Sequence, residues 1–317
     1  MALFRRKKKD ESSGQPGRQE RDAHLPALTV DEARHLIELA AGSLVRRGHL
    51  VQAHGGVLQG DTGQHVGLEN LSRTVASAPM DDWPAIVDSH ISALADTWDT
   101  EDTPADPQTL LIKLRQRADI PETFFTYSPL EPLPGIVGVL AADLPHVVKE
   151  FGSLDLVGDR DEAYDRALRN IAALPLPTHS TYLIDETKPS TLLHFFRSAD
   201  YFGAARVVVL PDLLRRALDT AIPPHGVIVA LPTRHSLNVH VPQDADTLQV
   251  INTLAVATVN QYDAEPGPVS PHLFHIGPDM IATQLTRLDD EGKVIVTVDG
   301  PIRDMFVTLG LITDGDQ

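Results

Sequence analysis

The chain has 317 residues, 42% hydrophobic and 22% charged, with no cysteine. That composition supports a folded core, and the missing thiols exclude disulfides, zinc–thiolate sites, iron–sulfur clusters and cysteine nucleophiles. The formal net charge is −17, and because residues 1–22 carry seven basic and four acidic side chains, the rest stands at −20. A body so charged repels nucleic acid and anionic lipid and steers basic proteins towards itself.

Residues 1–24 read as a disordered basic tail, Arg5–Lys9 followed by Ser, Gly and Gln. It offers anionic membranes or RNA a weak contact, or serves only as a solvated tail. No apolar stretch follows Arg5–Lys9 to make a secretory signal, and no run of about 18 apolar residues makes a membrane helix, so the expectation is a cytoplasmic protein. Order is expected from Thr29, where Thr29 and Glu32 spell a capping box for a helix ending at Gly48. His49 to Gly67 is Gly-rich. Its spacing fits neither a P-loop nor a dinucleotide fingerprint, so it reads as a hairpin turning at Asp61-Thr62-Gly63.

Helices are expected over Leu68–Ala78 and Trp83–Trp98. An acidic, Pro-containing connector then runs from Asp99 to Pro107 and leads to a short helix, Gln108–Ala118. Phe124–Ser128 and Gly135–Leu140 are strand-like, with Pro129, Pro132 and Pro134 setting a turn between them. Asp159 caps a helix with Ala163, Tyr164, Ala167, Leu168 and Ile171 on its apolar face. Strands follow at His179–Ile184 and Arg206–Leu210, and a helix opens at Pro211. The best-marked unit is a hairpin, Val227–Leu231 and Ser236–His240, joined by Pro232-Thr233-Arg234-His235. Asp246 then starts a helix expected to bury Leu248, Ile251, Ala255, Val259 and Tyr262. A strand at Val294–Val298 and an apolar segment, Ile302–Leu311, close the chain. Hairpins outnumber β–α–β units, so the fold class is α+β, with mixed, largely antiparallel sheets and packed helices. The expected divisions are the tail, a helical region with a Gly-rich hairpin over 25–119, and an α+β domain over 120–317.

From Leu68 to Phe274 the order of motifs resembles the YtpQ-like family of bacterial cytosolic proteins, whose function is unknown. Its landmarks are Leu68-Glu69-Asn70-Leu71, Ala167–Ile171, Asp200–Ala205, Leu231–Leu237 and Val269–Phe274. At the hairpin, where the family tends to carry Pro-Asn-Arg-Asp, only Pro232 and Arg234 match. The resemblance implies a fold and transfers no functional residue.

Fourteen histidines raise the question of a metal, but His272-x-x-His275, His235-x4-His240 and His49-x4-His54 lack the accompanying glutamate of a zinc helix and read as scattered side chains. Ser270 is either a nucleophile meeting His235 or His272, or a turn or helix-cap residue before Pro271. Arg234, at a hairpin tip, presents a bidentate fork for carboxylate or phosphate unless Asp200 or Asp212 already pairs with it or it is simply an exposed side chain. Asp200 is an acid–base group or the closure of a turn. Two functions stay open. One is a non-enzymatic protein-interaction or regulatory module with a basic protein partner. The other is a hydrolase or transferase with an unfamiliar site near Arg234, His235, Ser270 and His275. No cofactor, metal or small-molecule ligand is inferred.

Overall fold

The computed structural model describes residues 20–60, 65–98, 106–143, 148–289 and 291–313, with backbone alone at 65 and 96–98. Residues 1–19 of the tail, the Asp61–Gly63 turn and the connector from Asp99 to Ala105 lie outside the described residues. The chain divides into two compact units, Met1–Asp88 and Ser89–Gln317.

In the first unit, α1 (Val30–Arg46) is capped as its sequence demands. The Thr29 side chain accepts from the Glu32 amide, and Glu32 reaches back to Thr29. Structure starts before Thr29, however. Arg21 bridges Thr29, the Asp22 amide donates to the Leu28 carbonyl, and Leu25 is fully buried. Residues 20–24 are therefore part of the unit rather than tail. Strands β1 (Val51–His54), β2 (Val57–Gly60) and β3 (His65–Gly67) form an antiparallel meander, one strand more than a simple hairpin. Helices α2 (Glu69–Ala76) and α3 (Trp83–Trp98) follow, and the division between units falls within α3. On its first-unit side, Asp88 accepts from Ser43, Arg46 and Arg47 of α1.

In the second unit, strand β4 (Leu110–Gln116) stands where a helix was expected over Gln108–Ala118. The Leu110, Leu111 and Leu114 spacing imitates a helical stripe. Yet Leu110, Leu111 and Ile112 are buried in succession, which a strand covered on both faces achieves by pointing neighbours to opposite sides. Seven ladder pairs join β4 to β6 (Ile136–Asp143), and β5 (Leu130–Leu133) and β7 (Val148–Glu150) also pair with β6. The Pro-rich stretch read as a turn is thus strand β5. It lies at a sheet edge with a shifted register, where the missing amide of Pro132 is tolerated. Phe124–Ser128 is not a strand. A 3-10 turn, Glu122–Phe124, follows Pro121 and ends on that segment's first residue; Phe124, Phe125 and Tyr127 pack edge to face, and the Tyr127 hydroxyl donates to the Phe151 carbonyl.

Helix α4 (Arg160–Ala173) is capped by Asp159, as expected, and buries Ala163, Tyr164, Ala167 and Ile171. Then come β8 (Thr178–Leu183), β9 (Leu192–Arg197), a 3-10 helix over Ala204–Val209, and α5 (Leu210–Leu218). The 3-10 helix replaces the strand expected at Arg206–Leu210. Arg206 is bonded back to Asp200 and to the Pro175 carbonyl, which holds the segment coiled despite its β-branched run. The hairpin β10 (Val227–Ala230) and β11 (Ser236–His240) forms as predicted. Helix α6 (Thr247–Ala264) buries Val250, Ile251, Leu254, Ala255 and Thr258, while Leu248 is exposed. Its buried face is therefore rotated from the expected one, and the Asp246 carboxylate pairs with Lys188 at 2.7 Å instead of capping. Strands β12 (Leu273–Ile276), β13 (Ala282–Gln284), β14 (Thr286–Leu288) and β15 (Val294–Val296) precede α7 (Gly300–Thr308).

The second unit is layered around one six-stranded sheet in the order β13-β12-β10-β11-β9-β8, antiparallel throughout. Alternation along β10 defines its two faces. Val227 and Val229 join a core with β4, β6, α4 and α5, while Ile228 and Ala230 join another with α6 and α7. This α+β architecture sets the β10–β11 turn at one end of the sheet. Among the described residues no helix is long and apolar enough to cross a membrane.

Candidate functional site: an arginine fork at the β10–β11 turn

Backbone bonds fix the turn from both sides. The Arg234 amide donates to the Gly267 carbonyl at 2.8 Å, the Ala204 amide to the Arg234 carbonyl at 3.0 Å, and the Ser198 amide to the His235 carbonyl at 2.9 Å. Within the turn, the buried Thr233 and Ser236 hydroxyls meet at 3.1 Å. Two glycines make these approaches possible. A Cβ on Gly203 would stand 2.4 Å from the His235 carbonyl oxygen. Gly267, at φ +74°, lies under the Arg234 side chain, and a Cβ there would stand 2.7 Å from Cδ.

The Arg234 side chain is then fixed in place. Its guanidinium carbon lies 4.1 Å from the centre of the Tyr201 ring, and its Nε donates to His235 Nε2 at 3.1 Å. His235 Nδ1 lies 2.8 Å from the Asp200 carbonyl oxygen, so Nδ1 carries the proton and Nε2 is the acceptor. Burial, then the adjacent Arg234 charge, keeps this imidazole below its ordinary pKa and therefore neutral. Burial also lowers the Arg234 pKa, the mark of a cation partly withdrawn from water.

Neither aspartate considered as a partner reaches Arg234. Asp200 takes Arg206 through two bonds, 3.1 and 2.9 Å, and also accepts from the Phe202 amide at 2.8 Å, closing its turn. Burial alone would raise the Asp200 pKa, but Arg206 and that amide hold it down. Asp212 pairs with Arg215 and Arg216. Among the described residues, the two terminal nitrogens of Arg234 have no partner. They form a half-buried, positioned donor fork matched to one carboxylate or phosphate, and each charge-assisted bond it makes contributes about 1.5–3 kcal/mol.

The other sequence candidates lie elsewhere. Ser270 is buried beside the turn, its amide bonded to Leu231 and its Oγ accepting from the His272 amide, as a turn residue does. His275 sits on β12 opposite Ile228, three residues back along the ladder from Leu231, which is about 10 Å at the rise of a strand. Its Nε2 lies 2.8 Å from the His225 carbonyl oxygen, and it lines a separate cavity of about 330 Å³ with Asp279, Asp304 and Met305. The structure brings Arg234 and His235 together, keeps Ser270 adjacent but committed, and leaves His275 apart. Sequence reasoning missed Tyr201 as the platform under Arg234, and Gly203 and Gly267 as the residues that make room. The positions of two glycines distant in sequence carry no local signal of this. Among the described residues, no group of three or more His, Asp or Glu side chains is placed to hold a metal ion.

Histidine burial also gives a pH dependence. Burial first, then His179 and His240, push His194 down to about 4 from 6.5. The folded value is the lower one, so the unfolded chain binds the proton first. Stability from this group is complete above pH 6.5 and falls as the pH drops towards 4, by at most about 1.4 kcal/mol per pH unit. His235, His240 and His272 are lowered in the same direction. The thermal midpoint should be level above pH 7 and fall below pH 6.5. His194→Phe should make that fall shallower. Set beside known protein families, curated proteins and solved structures, the chain matches none of them.

Proposed function

We propose that the chain is a non-enzymatic protein-interaction module of the bacterial cytosol, and that Arg234 holds an acidic group of its partner. The observation that carries this reading is the preorganised fork, whose terminal nitrogens have no carboxylate partner among the described residues. A fork already fixed by His235, Tyr201 and two glycines loses little conformational freedom on binding. The partner is a basic protein. The net charge of −17 attracts it, and one acidic group within its basic surface then selects the fork. His235 supports recognition over catalysis, since both of its nitrogens are already engaged and it has no lone pair left to act as a base. The distance to His275 and the engaged hydroxyl of Ser270 weigh against a hydrolase or transferase built on these four residues. With the same proposal goes membership of the YtpQ-like family, on the order of motifs from Leu68 to Phe274.

A peptide of three lysines closed by one glutamate, compared with the same peptide closed by glutamine and with its C-terminus amidated, tests the reading. The wild-type chain should prefer the glutamate form about tenfold, equivalent to about 1.4 kcal/mol. Arg234→Gln should abolish that preference, and Arg234→Lys should keep only part of it. Equal preference in wild type and Arg234→Gln would overturn the proposal.

A further inference from the structure

Strand β8 ends the six-stranded sheet. Among the described residues only β9 pairs with it, and Thr178 through Tyr182 are exposed on both faces. Two bonds just beyond the strands fix which of its backbone groups are free. The Ile184 amide donates to the Thr191 carbonyl, and the Ser198 amide to the His235 carbonyl. Both continue the registers of β8 with β9 and of β9 with β11. Bonded positions alternate along an antiparallel pair. Thr178, Ser180 and Tyr182 therefore bond to β9, while the amides and carbonyls of His179, Thr181 and Leu183 point away from the sheet.

Natural sheet edges are usually blunted by charge, proline, a bulge or a covering segment. Thr178–Leu183 contains no charged residue and no proline, and its six pairs with β9 run without a register shift. Just past its C-terminal end come Asp185 and the exposed Glu186.

We propose that β8 receives an extended, basic segment of a partner protein as a seventh, antiparallel strand of this sheet, an inference that rests on the interaction-module reading. Three outward residues supply the ladder bonds that such strand addition uses. In an antiparallel guest, the N-terminal end lies beside Asp185 and Glu186, so the guest's basic residues belong at that end. Charge also selects against a second copy of the chain, which would bring two molecules of net charge −17 together, whereas a basic segment is attracted.

The probe is a blocked heptapeptide of two lysines followed by alternating valine and threonine, titrated into the full chain. Wild type should bind it, with backbone NMR shifts concentrated in residues 178–184. Moving the lysines to the other end of the peptide should weaken binding at least fivefold. Thr181→Pro removes an outward amide while leaving every bond to β9, so it should fold normally and bind at least tenfold more weakly. Arg234→Gln should bind this peptide, which has no acidic group, as wild type does. Failure here is thereby separated from failure of the Arg234 reading. Equal affinity for both peptide orientations, wild-type affinity in Thr181→Pro, no binding by wild type, or a dimer formed through β8 in sedimentation would each overturn the proposal. If Thr181→Pro does not fold, the orientation test decides alone.

Discussion

Arg206→Ala should lower the unfolding free energy by about 3–5 kcal/mol, the usual result of removing one partner of a buried ion pair. The Arg206 side chain is only 4% exposed, and its guanidinium meets Asp200 through two bonds and the Pro175 carbonyl through a third. Truncation leaves a half-buried carboxylate without its cation and a carbonyl without its donor. The loss should also reach the candidate site, because the Asp200 backbone carbonyl holds the His235 ring that in turn accepts from Arg234. Urea unfolding of wild type and variant measures the cost. A loss below about 1 kcal/mol would mean that the pair is replaced easily by solvent.

Gly203→Ala should cost about 3 kcal/mol or more and should disable the fork as well. The added methyl would stand 2.4 Å from the His235 carbonyl oxygen and 2.5 Å from its carbonyl carbon. These are backbone atoms, and they cannot rotate aside as the end of a side chain can. Overpacking commonly costs about 1–3 kcal/mol, and here the displaced segment is a turn held by three backbone bonds. Either the segment of Gly203 or the β10–β11 turn must move, and Arg234 moves with the turn. The variant should therefore lose stability in urea and lose the glutamate preference together. Gly267→Ala offers a contrast. The atoms nearest its Cβ belong to the Arg234 side chain and not to backbone, so Arg234 would be pushed from its place on Tyr201 and His235 and the glutamate preference lost, while the stability cost, set mainly by the φ of +74°, should be smaller. Equal costs for the two would contradict this placement of the backbone contacts.

Local chemistry made much of the fold legible. The Thr29–Glu32 box, the Asp159 cap and the β10–β11 hairpin each declare themselves within a few residues, and each stands where expected. The expectations that failed were decided by partners far along the chain. Leu110–Gln116 is a strand because β6 pairs with it, and Ala204–Val209 is coiled because Arg206 reaches Asp200 and Pro175. Strand β9 and strands β12 to β14 were not foreseen, since a strand's identity rests on neighbours that a sequence window does not contain. The site divides in the same way. Arg234 at a turn between apolar strands is visible in the sequence. That neither Asp200 nor Asp212 pairs with it is not, because both are close enough in sequence to be offered and only the fold assigns them to other arginines.

The most direct measurement follows the Arg234 Nε–H signal by NMR while the glutamate-ended lysine peptide is titrated in. With the fork open to an acidic group, that signal should shift in a saturable way, with the same affinity reported by the backbone of residues 231–235. The glutamine-ended peptide should leave it in place. Saturation by the glutamate peptide with an unmoved Arg234 signal, or an equal shift with the glutamine peptide, would contradict the assignment of Arg234 as the acidic-group receptor.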